Sequence, residues 1–96
     1  MTLSLMEVRR YAIDNRAEIK FRDPNTGQEC VVNGRGQCQL PGSDKAVSVD
    51  EIFAAAVQFE MLEGGKQQRR SRAAMAEAIA AALKKRGVVA VEHEDD

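Results

Sequence analysis

"SVDEIFAAAVQFEMLEGGKQQRRSR", Ser48 to Arg72, decides the fold, because a glycine pair divides an apolar half from a basic half. Ser48 and Glu51 have capping-box spacing: a serine oxygen accepts from an orphan amide while the glutamate reaches back to the cap. The stretch therefore reads as a helix from Val49 to Glu63 that Gly64 and Gly65 end. At 100° per residue, Ile52, Phe53, Ala56 and Phe59 cover one side, and Ala54, Val57, Met61 and Leu62 extend around much of the rest. A helix apolar over so wide an arc is covered on two sides. One side takes a sheet, and the other needs a second cover.

A third helix, Lys66 to Arg86, is the expected cover. Met75, Ile79 and Ala82 fall at spacings of four and three with Leu83 beside them, a narrow coiled-coil-like seam suited to a helical hairpin or a dimer. Beyond Gly87, Val88 to Val91 reads as an added edge strand and Glu92 to Asp96 as a disordered, solvated acidic tail.

Working toward the other end, Ser4 and Glu7 form another capping box and open a helix from Leu5 to Asn15. Leu5, Val8, Ala12 and Ile13 favour one side of it, and Glu7, Arg10 and Asp14 share the other. From Ala17 the period changes to two, and Ala17, Ile19 and Phe21 alternate with Glu18, Lys20 and Arg22. A four-residue loop from Pro24 to Gly27 sets Arg22 opposite Glu29, Phe21 opposite Cys30 and Ile19 opposite Val32. A three-residue loop, Gly34 to Gly36, with Gly36 left-handed, then sets Cys38 opposite Val32 and Leu40 opposite Cys30. Both hairpins agree on one inner face: Ala17, Ile19, Phe21, Cys30, Val32, Cys38 and Leu40. The expected architecture is α+β: a helix, a three-stranded antiparallel meander, then two helices packed on the sheet and on each other, in one domain over residues 1–91.

The two cysteines share that face as diagonal neighbours, with Cβ atoms ~7 Å apart, too far for an undistorted disulfide. Zinc needs about four ligands, and the single histidine is His93 in the acidic tail. Core packing is the reading for both cysteines, and no metal or cofactor is expected.

The chain is 44% hydrophobic and 30% charged, which describes a globular domain with an alanine-rich, modest core. A core of small side chains leaves a lone monomer a thin margin, which favours self-association. The start has no seven-residue apolar run after a basic segment, and no stretch approaches eighteen apolar residues. A cytoplasmic protein with no membrane attachment is expected. The net charge of −1 conceals an asymmetry: −3 over residues 1–65, +6 over 66–86 and −4 over 87–96.

Catalysis requires a nucleophile, base or charge stabiliser in a cleft. The cysteines point inward, the histidine is terminal, and no HExxH, GxSxG, Walker-type or GxGxxG pattern occurs, so no catalytic residue is named and no enzyme is expected. The basic run Lys66 to Arg72 would sit at a helix N-terminus, where cations cost a few tenths of a kcal/mol. Its presence has three readings: a solvated face, pairing with acids, or phosphate binding through Lys66, Gln67, Arg69, Arg70 and Arg72. The acidic tail could fold back on it and compete with an anionic partner.

The functional expectation is a small non-enzymatic protein-interaction or adaptor module, self-associating as a homodimer through Phe59, Met61, Leu62, Met75, Ile79 and Leu83. The alternative is a nucleic-acid-binding regulator that presents the start of the last helix to a major groove. An acidic pI of 5.8 and the lack of an aromatic within the run weigh against it.

Overall fold

The computed structural model describes residues 3–42 and 48–85. Its elements run α1 (Leu5–Asn15), β1 (Glu18–Arg22), β2 (Glu29–Val32), β3 (Cys38–Gln39), α2 (Val49–Ala55), β4 (Gln58–Glu63), β5 (Lys66–Ser71) and α3 (Arg72–Lys85). The strands form one antiparallel sheet in the order β3-β2-β1-β4-β5. The class is α+β, with five strands where three were expected. The strand expected at Val88 to Val91 and the tail Glu92 to Asp96 lie outside the described residues.

The first half follows its local signals closely. Ser4 Oγ accepts from the Glu7 amide at 3.2 Å, and Glu7 Oε1 accepts from the Ser4 amide at 3.0 Å, so the capping box opens α1 at Leu5. Arg22 pairs with Glu29, Phe21 with Cys30, Ile19 with Val32 and Val32 with Cys38, the register in which apolar side chains meet on one face. The second turn closes with the Gly36 amide donating to the Asn33 carbonyl at 2.8 Å and Gly36 at φ 79°. Both cysteines are free thiols.

The second half departs from expectation at Ala56. Ser48 caps α2 as predicted, its Oγ accepting from the Glu51 amide at 3.3 Å, but the helix stops at Ala55 rather than Glu63. Gln58 to Glu63 is a strand laid antiparallel along β1, with Ile19 opposite Met61 and Phe21 opposite Phe59. The physical reason is a period of two: Phe59 and Met61 are buried, while Gln58 and Leu62 are exposed and Glu60 is only partly covered. Plotted on a helix, such a segment scatters its apolar residues around the wheel, and that scatter is the wide apolar arc.

Gly64 and Gly65 do not end a helix. They are the two-residue turn of a hairpin, with φ 60° and 80°, the left-handed pair that matches strand twist. Lys66 to Ser71 is therefore β5, and α3 begins at Arg72 instead of Lys66, with Ser71 Oγ accepting from the Ala74 amide at 3.1 Å.

All three helices contact one face of the sheet. There Ile19, Phe21, Cys30, Val32, Phe59 and Met61 meet Val8 and Ala12 of α1, Ile52 and Phe53 of α2, and Met75 and Ile79 of α3. Phe21, Phe53 and Phe59 form its centre, with ring centroids 5.5 to 5.8 Å apart, each such pair adding ~0.5–1.5 kcal/mol beyond its burial. The other face of the sheet carries no helix among the described residues. β1 lies in the middle of the sheet and β5 at one edge.

Candidate functional site: the basic edge strand

β5 is six residues long, and all but Arg70 are exposed. Its backbone polarity follows from its turn. In a two-residue hairpin the flanking pair, Glu63 and Lys66, exchanges hydrogen bonds, and the pattern then alternates along the strand. Lys66, Gln68 and Arg70 thus direct their amides and carbonyls toward β4. The bond from the Arg72 amide to the Val57 carbonyl, 3.2 Å, continues that alternation. Gln67 and Arg69 direct theirs away from the sheet, and no described strand lies there to receive them.

Side chains alternate as well. Gln67 and Arg69 stand on the open face, opposite Leu62 and Glu60. That face has its charges matched: Arg69 lies 3.3 Å from Glu60, Lys20 lies 3.9 Å from Glu60, and Arg22 lies 2.5 Å from Glu29. The hydrogen bond from Arg22 holds the Glu29 carboxyl below the usual carboxylate range. A depression of about 330 Å³ on this face is lined by Lys20, Arg22, Val57, Glu60 and Arg69 among others. All four aromatic residues of the chain are buried or half-buried, so no base-stacking platform faces solvent.

Lys66, Gln68 and Arg70 stand on the helix-bearing face. Together with Tyr11, Met61 and Glu63 they line a hollow of about 440 Å³ at the end of the sheet. Tyr11 Oη donates to Glu63 Oε1 at 2.7 Å; burial and then that carboxylate push the phenol up to about 12. Arg70 Nη2 donates to Gln68 Oε1 at 2.6 Å, while Arg70 Nε is buried with no hydrogen-bond partner among the described residues.

The anion-binding set read from the sequence therefore divides. Lys66, Gln67, Arg69 and Arg70 share one exposed strand. Arg72 does not join them, because its guanidinium turns inward. Its Nη2 donates to the carbonyls of Phe53 and of Ala56, the latter at 2.6 Å, and Nε donates to the same Ala56 carbonyl at 3.2 Å. The group lies 4.8 Å from the Phe53 ring centroid and 5.4 Å from that of Phe59. It ties the end of α2 to the start of α3. The basic run is a strand, so it presents no recognition helix, and the cost of cations at a helix start does not arise for Lys66 to Arg70.

The expected dimer surface is likewise redistributed. Phe59, Met61, Met75 and Ile79 are 0 to 4% exposed within the domain's own core, and Leu83 packs partly against it. The second cover expected for the apolar arc is supplied inside the chain, by β4 pairing with β1 beneath the helices. Of the six, Leu62 stands on the open face at 44% exposure.

Burial pushes the Cys30 thiol up to about 12, which keeps it protonated and unreactive. No cluster of three or more metal-ligating side chains occurs among the described residues, and none of the described helices is long and apolar enough to cross a membrane. Tyr11 is not singled out by the sequence, and Gln68 and Glu63 read there as parts of helices rather than of one hollow. The alternation of Phe59 and Met61 with polar neighbours before Gly64-Gly65 is the signal that places them beside β5. Comparison with protein-family models, with curated proteins and with solved structures returns no match, so the functional reading rests on the geometry of β5 and its surroundings.

Proposed function

We propose that this domain is a non-enzymatic protein-interaction module that takes up an extended segment of a partner protein as an additional strand along β5. The observation that carries the reading is a six-residue edge strand whose outward amides and carbonyls, at Gln67 and Arg69, meet no described strand. Unpaired edges template further pairing, and proteins that leave them idle usually shorten, bulge or cover them. β5 pairs with β4 along its whole length and, among the described residues, shows none of these devices except charge.

That charge bears on the kind of partner. Lys66, Arg69 and Arg70 place three cations on six residues, which repels a second basic edge and attracts a segment bearing carboxylates. Main-chain bonds supply affinity in strand addition, and alternate side chains supply specificity. Four backbone hydrogen bonds at ~1 kcal/mol each offset no more than the lower end of the association cost of ~4–15 kcal/mol, so measurable affinity requires side-chain contributions. A reducing, cytoplasmic setting accords with two unbridged cysteines.

Amide-resolved NMR of the full chain, titrated with a blocked six-residue peptide of alternating threonine and glutamate, tests the reading. The expected result is shift changes concentrated on Gln67 to Ser71 and slowed hydrogen exchange at the Gln67 and Arg69 amides. A peptide methylated on its alternate backbone nitrogens should not bind. Equal binding of the methylated peptide, or changes mapping elsewhere, would refute strand addition. Binding of generic DNA or RNA that weakens steeply with salt, with no response to the peptide, would favour the nucleic-acid alternative instead.

A further inference from the structure

The hollow on the helix-bearing side of β5 carries a more specific inference, which rests on the strand-addition reading. We infer that it is a carboxylate subsite, selecting a partner strand that places Glu or Asp opposite Gln68.

The position follows from the ladder. With Gln67 and Arg69 making the outward hydrogen bonds, a strand added antiparallel to β5 faces Gln68 in a non-hydrogen-bonded pair, where Cα atoms are only ~4.5 Å apart and side chains closest. Directly opposed side chains share a face, so that partner residue points over the hollow. Its diagonal neighbours on β5 are Lys66 and Arg70, at ~7–8 Å between backbones and within reach of long side chains. One acidic residue there is bracketed by two cations.

The chemistry of the lining agrees. Lys66 and Arg70 contribute two positive charges and Glu63 one negative, leaving the hollow one charge short of neutral. Tyr11 already donates to Glu63 at 2.7 Å, which occupies one of that carboxylate's oxygens. Arg70 holds Gln68 through Nη2 at 2.6 Å, an arrangement that fixes the guanidinium at the hollow. The terminal nitrogens of that guanidinium are planar donors of the kind that suit a carboxylate. On the open face, by contrast, Arg69 already has Glu60 at 3.3 Å, so an acid opposite Arg69 meets a charge that is spoken for.

The test compares two blocked pentapeptides of threonine and valine that differ only at the central residue, Glu or its isostere Gln, by calorimetry and amide-resolved NMR on the full chain. The Glu peptide should bind about tenfold tighter. Arg70→Gln should remove most of that preference. Lys66→Gln, at an exposed position where folding is not in question, should cut the preference about threefold. Equal binding of the two peptides at β5 would overturn the carboxylate subsite and leave strand addition standing. Binding of neither peptide would overturn both. A Glu preference that survives Arg70→Gln and Lys66→Gln together would place the selecting charge elsewhere and also overturn the subsite.

Discussion

Replacing Arg72 by methionine removes a guanidinium while keeping an apolar stem of similar length, and the consequence can be worked from its contacts. Two carbonyls at the end of α2, of Phe53 and Ala56, lose their charged donor. Hydrogen bonds from charged groups contribute ~1.5–3 kcal/mol each; for a partly buried pair the lower end applies, giving ~3 kcal/mol for the two. The cation over Phe53 at 4.8 Å adds ~0.5–1 kcal/mol. Methionine recovers some packing along the stem. The net loss is ~3 kcal/mol, a large fraction of what a domain of this size has, and equivalent to a fall in melting temperature of about 12–24 °C. Urea denaturation followed by circular dichroism measures it, with Arg69→Gln as the control. Arg69 pairs with Glu60 at an exposed site and should cost no more than ~0.5 kcal/mol. Arg72→Lys should fall between the two, since it keeps the charge but loses the fork. If Arg72→Met proved no more costly than Arg69→Gln, the clamp between α2 and α3 would be refuted, and Arg72 would return to the exposed basic set.

Phe59→Ala should destabilise by ~3–5 kcal/mol and Leu62→Ala by less than ~1 kcal/mol, because the first side chain lies at the centre of the core and the second on the open face; urea midpoints giving similar costs would contradict the strand at Gln58–Glu63. Gly65→Ala, at φ 80°, should cost ~1–2 kcal/mol, whereas Gly64→Asn, at φ 60°, should be nearly neutral because asparagine tolerates the left-handed region; thermal melts of the two variants separate a hairpin turn from a helix end. Stability should fall as pH rises from about 10 to 12, because the unfolded chain releases the Tyr11 proton near its ordinary value while the folded chain retains it up to about 12. Tyr11→Phe should make that decline shallower, the remainder coming from Cys30, whose thiol is likewise pushed up to about 12, as read from denaturant midpoints across the same pH range.

The two halves of the chain differ in how plainly their residues declare the fold. From Ser4 to Gln39 the local signals agree on one reading, the length of the second turn being settled by the shared inner face of the two hairpins. The capping box opens α1, alternation from Ala17 gives β1, and two turns of definite length admit only one register in which Phe21 meets Cys30 and Val32 meets Cys38. From Ser48 onward helix and strand signals run together without a turn residue between them. α2 ends at Ala55 within the alanines 54–56, good helix formers, and β4 begins two residues after Ala56, so no turn residue marks the junction and the alternation of Phe59 and Met61 is the one local sign of it. The stop comes from tertiary contact: Arg72, sixteen residues further along, occupies the carbonyl of Ala56. The glycine pair was ambiguous in the same way, since glycine ends helices and also builds two-residue hairpins. The basic run was visible as a charged block, but its place at a sheet edge depended on resolving that ambiguity. Tyr11 and Glu63, fifty-two positions apart, meet only through the fold.

The placement of charge on β5 has a consequence for which partner can pair with it. A second copy of β5 could add only in registers that set outward-facing backbone groups against outward-facing ones, so Gln67 and Arg69 must oppose one another's kind. Setting Gln67 against Arg69 uses both fully, but it places Lys66 directly opposite Arg70 on the helix-bearing face, twice by symmetry. Shifting by two residues toward Ser71 relieves that clash and instead opposes Arg69 with Arg69 on the open face, while shifting the other way opposes Gln67 with Gln67 and leaves Arg69 facing Gly65 of the turn. Like charges directly across a ladder are destabilising, and here each register that engages both outward residues incurs one or the other. A segment with an acid opposite Gln68 meets the reverse situation, since the same two cations flank it. If β5 takes up a partner strand as proposed, Lys66 and Arg70, which oppose one another when β5 meets its own copy, are the same two charges that would attract an acid opposite Gln68.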